Sequence, residues 1–364
     1  MTLNRNLVRR ASLGGAALIG ASVICAGAGL ACAGAGIYIA FSRRRSDRFD
    51  GKVVVITGGS RGLGLAMAEE FGRRGARLVL IARDEWELER AARQLVRNGA
   101  VPSETQVLTI ATDLRRQEEA ERMIEEATQK FGRVDLLVNN AGVITVGPLE
   151  NQTPEDFREV MDSNFFTGLY CTLAVLPQML KRREGAIANI TSIGGKIAVP
   201  HLLPYTASKF AAVGFSEGLA AEMDAKGIRV TTVVPGLMRT GSHSNALFTG
   251  DAAREYRWFS FGATMPGASI AARRAARQIA DGVAARAVEI AITPPAFVAS
   301  RFGHVLPGLR HALLKGMNRF LPDALPGVVE KHRGHEISEL EPIPARIVGR
   351  RAAARFNQTQ RMVG

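Results

Sequence analysis

Between residues 51 and 295, seven short apolar runs alternate with amphipathic stretches, and few folds satisfy that pattern. The runs cover 52–56, 77–81, 106–111, 135–139, 186–190, 229–234 and 289–292. Each is nearly unbroken in its apolar character, as in strands covered on both faces rather than one. Stretches such as 63–74 and 85–98 carry helical periodicity between them. Strand, helix, strand repeated in this way predicts an α/β fold: a doubly wound parallel sheet of about seven strands.

The flanks differ from this middle. Residues 11–41 form an uncharged run of 31 residues rich in Ala, Gly, Leu, Ile and Val. At roughly 20 residues per bilayer crossing, it is long enough to span as a helix. Arg5, Arg9 and Arg10 precede it, and Arg43, Arg44, Arg45 and Arg48 follow. Ala28, Cys32 and Gly36 would share one small-residue face, suited to helix contact, although a plain lipid anchor explains the run as well. The Arg9-Arg10 pair also suggests an export signal, and Cys32 a weak lipid-attachment site. The length of the run and the Arg cluster behind it favour an uncleaved single-pass anchor. Beyond residue 295 the strand signals stop. Leu306, Leu309, Leu313, Met317 and Phe320 fall at helical spacing among Arg310, His311, Lys315 and Arg319. This basic amphipathic helix would either lie in a membrane interface or pack on the domain. The expected organisation is an anchor over 1–49, the doubly wound α/β domain over 50–295 and a helical, basic extension over 296–364.

Charge supports the division. The net +13 resides in the flanks: seven Arg against two Asp before residue 51, and fifteen Lys or Arg against seven acids after 265. The stretch 51–265 carries twenty-five of each sign. A neutral centre argues against a nucleic-acid groove, and basic flanks suit an anionic surface. Three cysteines, two of them in the apolar run, make no disulfide framework, and no Cys/His spacing suggests a metal site.

The first strand runs into Thr57-Gly58-Gly59-Ser60-Arg61-Gly62-Leu63-Gly64 and then a helix. Glycines at such a turn admit a diphosphate to backbone N–H groups at the helix N-terminus. The spacing is Gly-x-x-x-Gly-x-Gly, and further motifs follow in order. Asp113-Leu114 comes after the third strand, and Asn139-Asn140-Ala141-Gly142 after the fourth. Asn164, Ser192, Tyr205 and Lys209 come next, then Pro235-Gly236 with Met238 and Thr240. With these motifs the sequence resembles the classical short-chain dehydrogenase/reductase (SDR) family over about residues 50–295. The resemblance implies a Rossmann-type sheet and an oxidoreductase that moves hydride between a nicotinamide and a carbonyl or alcohol. It implies that Gly58, Ser60, Arg61, Gly62, Leu63 and Gly64 hold the cofactor. Asp113 and Leu114 would lie at the adenine, Asn140, Ala141 and Gly142 beneath the ribose, and Pro235, Gly236, Met238 and Thr240 over the nicotinamide. Asn164, Ser192, Tyr205 and Lys209 become a catalytic tetrad, in which Lys209 also holds the nicotinamide ribose and Asn164 positions a water. Homodimers or homotetramers are usual in such a family.

Tyr205 and Lys209, four apart, share one helix face. A phenol, with a pKa of about 10, is a poor acid or base at neutral pH, and a neighbouring ammonium is expected to lower that value. Tyr205 would then exchange a proton with the substrate oxygen while Ser192 hydrogen-bonds it. At the end of the second strand, where NAD-specific relatives carry an acid for the ribose 2′-OH, Ala82 is followed by Arg83. With Arg61 in the turn, two guanidinium groups favour a 2′-phosphate, and so NADP(H) over NAD(H), with Asp84 one place later as the dissenting residue. The segment 241–266 carries His243, Phe248, Tyr256, Trp258, Phe259 and Phe261. This aromatic density fits a lipophilic pocket, a lid or an interface. The resulting expectation is a membrane-anchored, NADP-dependent oxidoreductase of a lipid- or steroid-like carbonyl or alcohol, its domain facing the cytoplasm where NADPH is supplied. The alternative is a silent nucleotide-sensing or scaffold protein of the same fold.

Overall fold

Parallel strands need crossovers, and the seven apolar runs obtain them from the helices between. The computed structural model describes residues 49–264, 269–302, 305, 307–337 and 353–358. The main sheet consists of β1 (Val53–Thr57), β2 (Arg77–Ala82), β3 (Val107–Ala111), β4 (Leu136–Asn139), β5 (Gly185–Ile190), β6 (Ile228–Val234) and β7 (Glu289–Ala291). Their spatial order is β7-β6-β5-β4-β1-β2-β3, every pair parallel. All seven coincide with the expected runs to within two residues.

The two-residue pleat divides the apolar side chains between two cores. Val54, Ile56, Leu78, Leu80 and Val138 pack with α1 (Gly62–Arg73), α2 (Glu85–Arg97) and α8 (Ala272–Ala284). Val53, Val55, Val79, Ile81 and Leu137 pack with α3 (Gln117–Phe131), α5 (Thr167–Arg182) and α6 (Leu203–Asp224). Each fully buried aliphatic contributes about 1.5–3 kcal/mol, so neither layer can be stripped away without loss of the other. Local chemistry sets the helix ends. Asp84 accepts from the Glu87 N–H (2.9 Å) to cap α2, and Thr153 and Asp156 form a capping box on α4 (Pro154–Met161). The chain leaves β1 for β2 and β3, then returns to β4 on the other side. This reversal opens a crevice at the carboxyl ends of the strands, where open α/β sheets bind ligands.

After α7 (Ala252–Thr264) and α8, the extension forms α9 (Pro294–Phe302) and α10 (Pro307–Asn318). Proline starts both helices, where its missing N–H costs nothing. No residue of α10 is buried: Leu309 and Leu313 are 57% and 56% exposed, and Phe320 just beyond is 58% exposed. Of the two expectations for this helix, packing on the domain is not what the structure shows. No helix among the described residues is long and apolar enough to cross a membrane, and the run 11–41, the expected anchor, lies outside those residues.

Candidate active site

The glycine-rich turn is clamped to β4 by its own neighbours. Thr57 Oγ1 accepts from the Asn140 and Ala141 N–H groups, both at 2.9 Å. The Asn140 amide donates to the Thr57 carbonyl (2.9 Å) and the Gly58 carbonyl (3.3 Å). Gly58 and Gly62 adopt left-handed φ of +63° and +59°, and a Cβ on Gly64 would stand 2.0 Å from the Gly58 oxygen. Only glycine fits this cradle. No side chain caps α1 and no acid sits in its first turn; with the Gly62 N–H on the Phe356 carbonyl, the positive end of the helix still suits an anion. The residues therefore fit the diphosphate of a dinucleotide.

At the adenosine end, Arg61 donates to Glu87 (2.9 Å) and Asn245 (3.4 Å), and Ser60 also donates to Glu87 (3.0 Å). Glu87 is a site residue that sequence reasoning missed; it lies in the first turn of α2, and only its distance from Arg61 in space reveals it. Asp84 caps α2, one of its carboxylate oxygens accepting from the Glu87 N–H. Arg83 is exposed, and close enough that its charge favours the Asp113 carboxylate. The paired Arg115 holds that carboxyl below its usual range, while Leu114 is buried.

Ser192 follows β5 and caps a short turn, its Oγ accepting from the Gly194 N–H at 3.0 Å. Tyr205 and Lys209 lie on one face of α6, with Lys209 Nζ 5.8 Å from the Tyr205 ring centre and the Tyr205 hydroxyl hydrogen-bonded to Ser192. A Cβ on Gly195 would meet the Lys209 carbonyl at 2.6 Å, so a glycine there lets α6 approach. Asn164 sits in a π-helical turn, Asp162–Phe166, between α4 and α5. Such turns recur at functional sites. Its amide bridges the Val143 backbone (2.7 and 3.0 Å) and Ser208 Oγ (2.9 Å), which itself donates to the Tyr205 carbonyl at 2.7 Å. Ser208 is the second residue sequence reasoning missed. Gly142 faces this network, since a Cβ there would lie 2.8 Å from Asn164 Oδ1. All four tetrad residues thus converge at the carboxyl ends of β4 and β5.

Burial changes the expected electrostatics. Lys209 has its amine pushed down to about 8 by desolvation, and that amine donates to the Ile190 carbonyl at 3.0 Å. Burial also raises the Tyr205 phenol, and the Ser192 hydrogen bond offsets part of this. The sequence-based expectation of a lowered phenol is therefore corrected: both groups are driven toward their neutral forms, because the same dry site penalises ammonium and phenolate alike. A neutral phenol is the form that donates a proton to a carbonyl oxygen.

The loop after β6 passes beside Ser192, with the Ile193 N–H on the Pro235 carbonyl (2.7 Å), and a Cβ on Gly236 would collide with Thr293. Met238 lies in the short strand Leu237–Arg239, and Thr240 is buried. Much of the aromatic segment that follows folds into a small core of its own. His243, Phe248 and Tyr256 are buried, the last two in a small core with Val146 and Leu202, and Trp258 and Phe259 pack against that core. Phe261 stands exposed. Glu255, wholly buried, bridges His201 Nδ1 (2.7 Å) and Trp258 Nε1 (2.5 Å).

Fold and site together define a class: Rossmann-type proteins that hold NAD or NADP against a Ser–Tyr–Lys set, the arrangement of dehydrogenases and reductases. The short chain dehydrogenase family model matches residues 52–247, more than half of the chain, and the protein belongs to that family. It is 38% identical over 213 residues to a "Dehydrogenase/reductase SDR family protein 7-like" of Anopheles gambiae, covering 58% of this chain and 66% of that one. It is 38% identical over 203 residues to "Dehydrogenase/reductase SDR family member 7B" of Bos taurus, covering 56% and 62%. An uncharacterized oxidoreductase of Staphylococcus saprophyticus is 35% identical over 189 residues, 52% and 79%. The chain thus spans just under two thirds of the length of the first two relatives.

Proposed function

We propose that the protein is an NADP(H)-dependent oxidoreductase that interconverts a carbonyl and an alcohol on a lipophilic molecule. The observation that carries this reading is the convergence of Ser192, Tyr205 and Lys209 in a fold that also presents the glycine-rich turn. When bound, the nicotinamide supplies or takes up the hydride. In the reducing direction the neutral Tyr205 phenol donates its proton to the substrate oxygen as charge develops there. Ser192 Oγ, already in hydrogen-bond contact with Tyr205, steadies that oxygen and the phenol together. Lys209, with its low-pKa amine, returns a proton toward the phenol, and Asn164 and Ser208 fix the backbone on which Tyr205 sits.

Arg61, Arg83 and the capping role of Asp84 support a 2′-phosphate and hence NADP. The Glu87 carboxylate on Arg61 is the opposing charge, so the preference rests on Arg83 as well. The unpacked apolar side of α10 carries Arg310, Lys315 and Arg319 around it, a combination that suits an anionic lipid surface and keeps the site near lipophilic substrate. With the run 11–41 as anchor, the domain would face the cytoplasm and assemble as a homodimer or homotetramer. Purified protein in detergent should oxidise NADPH faster than NADH with long-chain or polycyclic carbonyls. Preference for NADH, or for small soluble carbonyls, would contradict the cofactor and substrate readings respectively.

A further inference from the structure

We infer that the C-terminal segment 353–358 is a clamp on the dinucleotide site, joining the glycine-rich turn to the loop that follows β6. The Phe356 carbonyl accepts from the Gly62 N–H at 2.8 Å, at the start of α1. The Asn357 amide donates to the Ser60 carbonyl (3.1 Å) and accepts from Arg90 Nε (2.8 Å), while Gln94 holds the Arg355 carbonyl (2.9 Å). Gln358 reaches the other wall: Asn245 donates to its side-chain oxygen at 2.5 Å and to its carbonyl at 3.3 Å. Asn245 is also the acceptor for Arg61. Ser60, Arg61 and Gly62, the residues that line the turn, are therefore all tied to this segment, directly or through Asn245.

Two glycines are shaped around this segment. A Cβ on Gly62 would lie 2.5 Å from Gln358 Nε2, and one on Gly241 would lie 2.7 Å from Ala353 Cα. Asn357 takes a left-handed φ of +54°, which asparagine tolerates better than most residues. Phe356 is buried in the main core beside α1, so the segment is built into the domain. Pulling a buried phenylalanine out of the core for each nucleotide exchange would be costly in transfer and cavity energy. A competitor that must leave before the nucleotide enters does not fit that anchoring; a fixed outer wall does. Asn357 and Gln358 then act as positioning residues, holding Ser60 and Arg61 where a ribose and its 2′ substituent would meet them.

This inference rests on the dinucleotide reading of the site, and one experiment separates the two. Binding of NADPH and NADH to full-length protein is followed by nicotinamide fluorescence, without substrate, and release by stopped flow. For whichever nucleotide the wild type binds, Asn357→Ala/Gln358→Ala should raise Kd about tenfold, as expected from lost ordering hydrogen bonds, mainly through faster release. In turnover the loss should fall on KM for the nucleotide more than on kcat. Thermal unfolding without nucleotide reports whether the fold survives; Gln358→Ala alone, which leaves Phe356 and Asn357 in place, serves if the double variant unfolds. An unchanged or tighter Kd would overturn the clamp while leaving the site reading intact. Wild-type protein that bound neither nucleotide would overturn both.

Discussion

Lys209 should weaken the fold that it serves. Its amine titrates near 8 in the folded protein against an ordinary 10.5. At 1.36 kcal/mol per pKa unit, holding it protonated in the dry site costs about 3 kcal/mol at pH 7. Replacement by methionine, of similar length and no charge, removes that cost and forfeits one hydrogen bond to the Ile190 carbonyl, worth about 1 kcal/mol. Lys209→Met should therefore be about 2 kcal/mol more stable at neutral pH, and inactive. The pH dependence has a definite sign. A base whose folded pKa lies below its unfolded one binds fewer protons when folded between the two values, so wild-type stability gains from this group as pH rises from about 8 to 10.5. The advantage of the variant should shrink across that window and vanish near its upper end. Urea unfolding of both proteins at pH 7 and pH 10, without nucleotide, measures it. A variant less stable than wild type at pH 7, or a gap that does not change with pH, would refute the reasoning.

Other outcomes follow from the same contacts. Gly64→Ala should abolish nucleotide binding in fluorescence titrations, because its methyl would stand 2.0 Å from the Gly58 carbonyl within a cradle held by Asn140. His201→Ala should destabilise by ~1–3 kcal/mol in denaturant titrations, since it removes one of the two hydrogen-bond partners of the buried Glu255; Glu255→Gln should cost less. Leu309→Glu with Leu313→Glu should leave thermal stability within about 0.5 kcal/mol, both side chains being exposed, while reducing co-sedimentation with anionic vesicles. Undiminished co-sedimentation would remove the lipid role of α10.

Much of the sheet was legible because its strands are buried on both faces and carry their signal in consecutive residues. The tetrad was legible for a related reason: Tyr205 and Lys209 sit one helical turn apart, and motif order fixed the rest. What escaped sequence reasoning depends on distance in space. Glu87 binds Arg61 from a separate helix, and Asn357 meets Ser60 across 297 residues of chain, with no local pattern to announce either contact. The direction of the Tyr205 shift was misread because spacing gives proximity and not desolvation, and here desolvation dominates. The aromatic residues after Thr240 fit a pocket, a lid or an interface in the sequence, since composition does not distinguish a satellite core from a cavity wall.

The proton-donor role of Tyr205 is tested most directly by Tyr205→Phe, which keeps the ring and removes only the hydroxyl. With NADPH and a carbonyl lipid under saturating conditions, kcat should fall by roughly 10²–10⁴ while the protein stays folded. Equal NADPH consumption by the two forms would contradict the account.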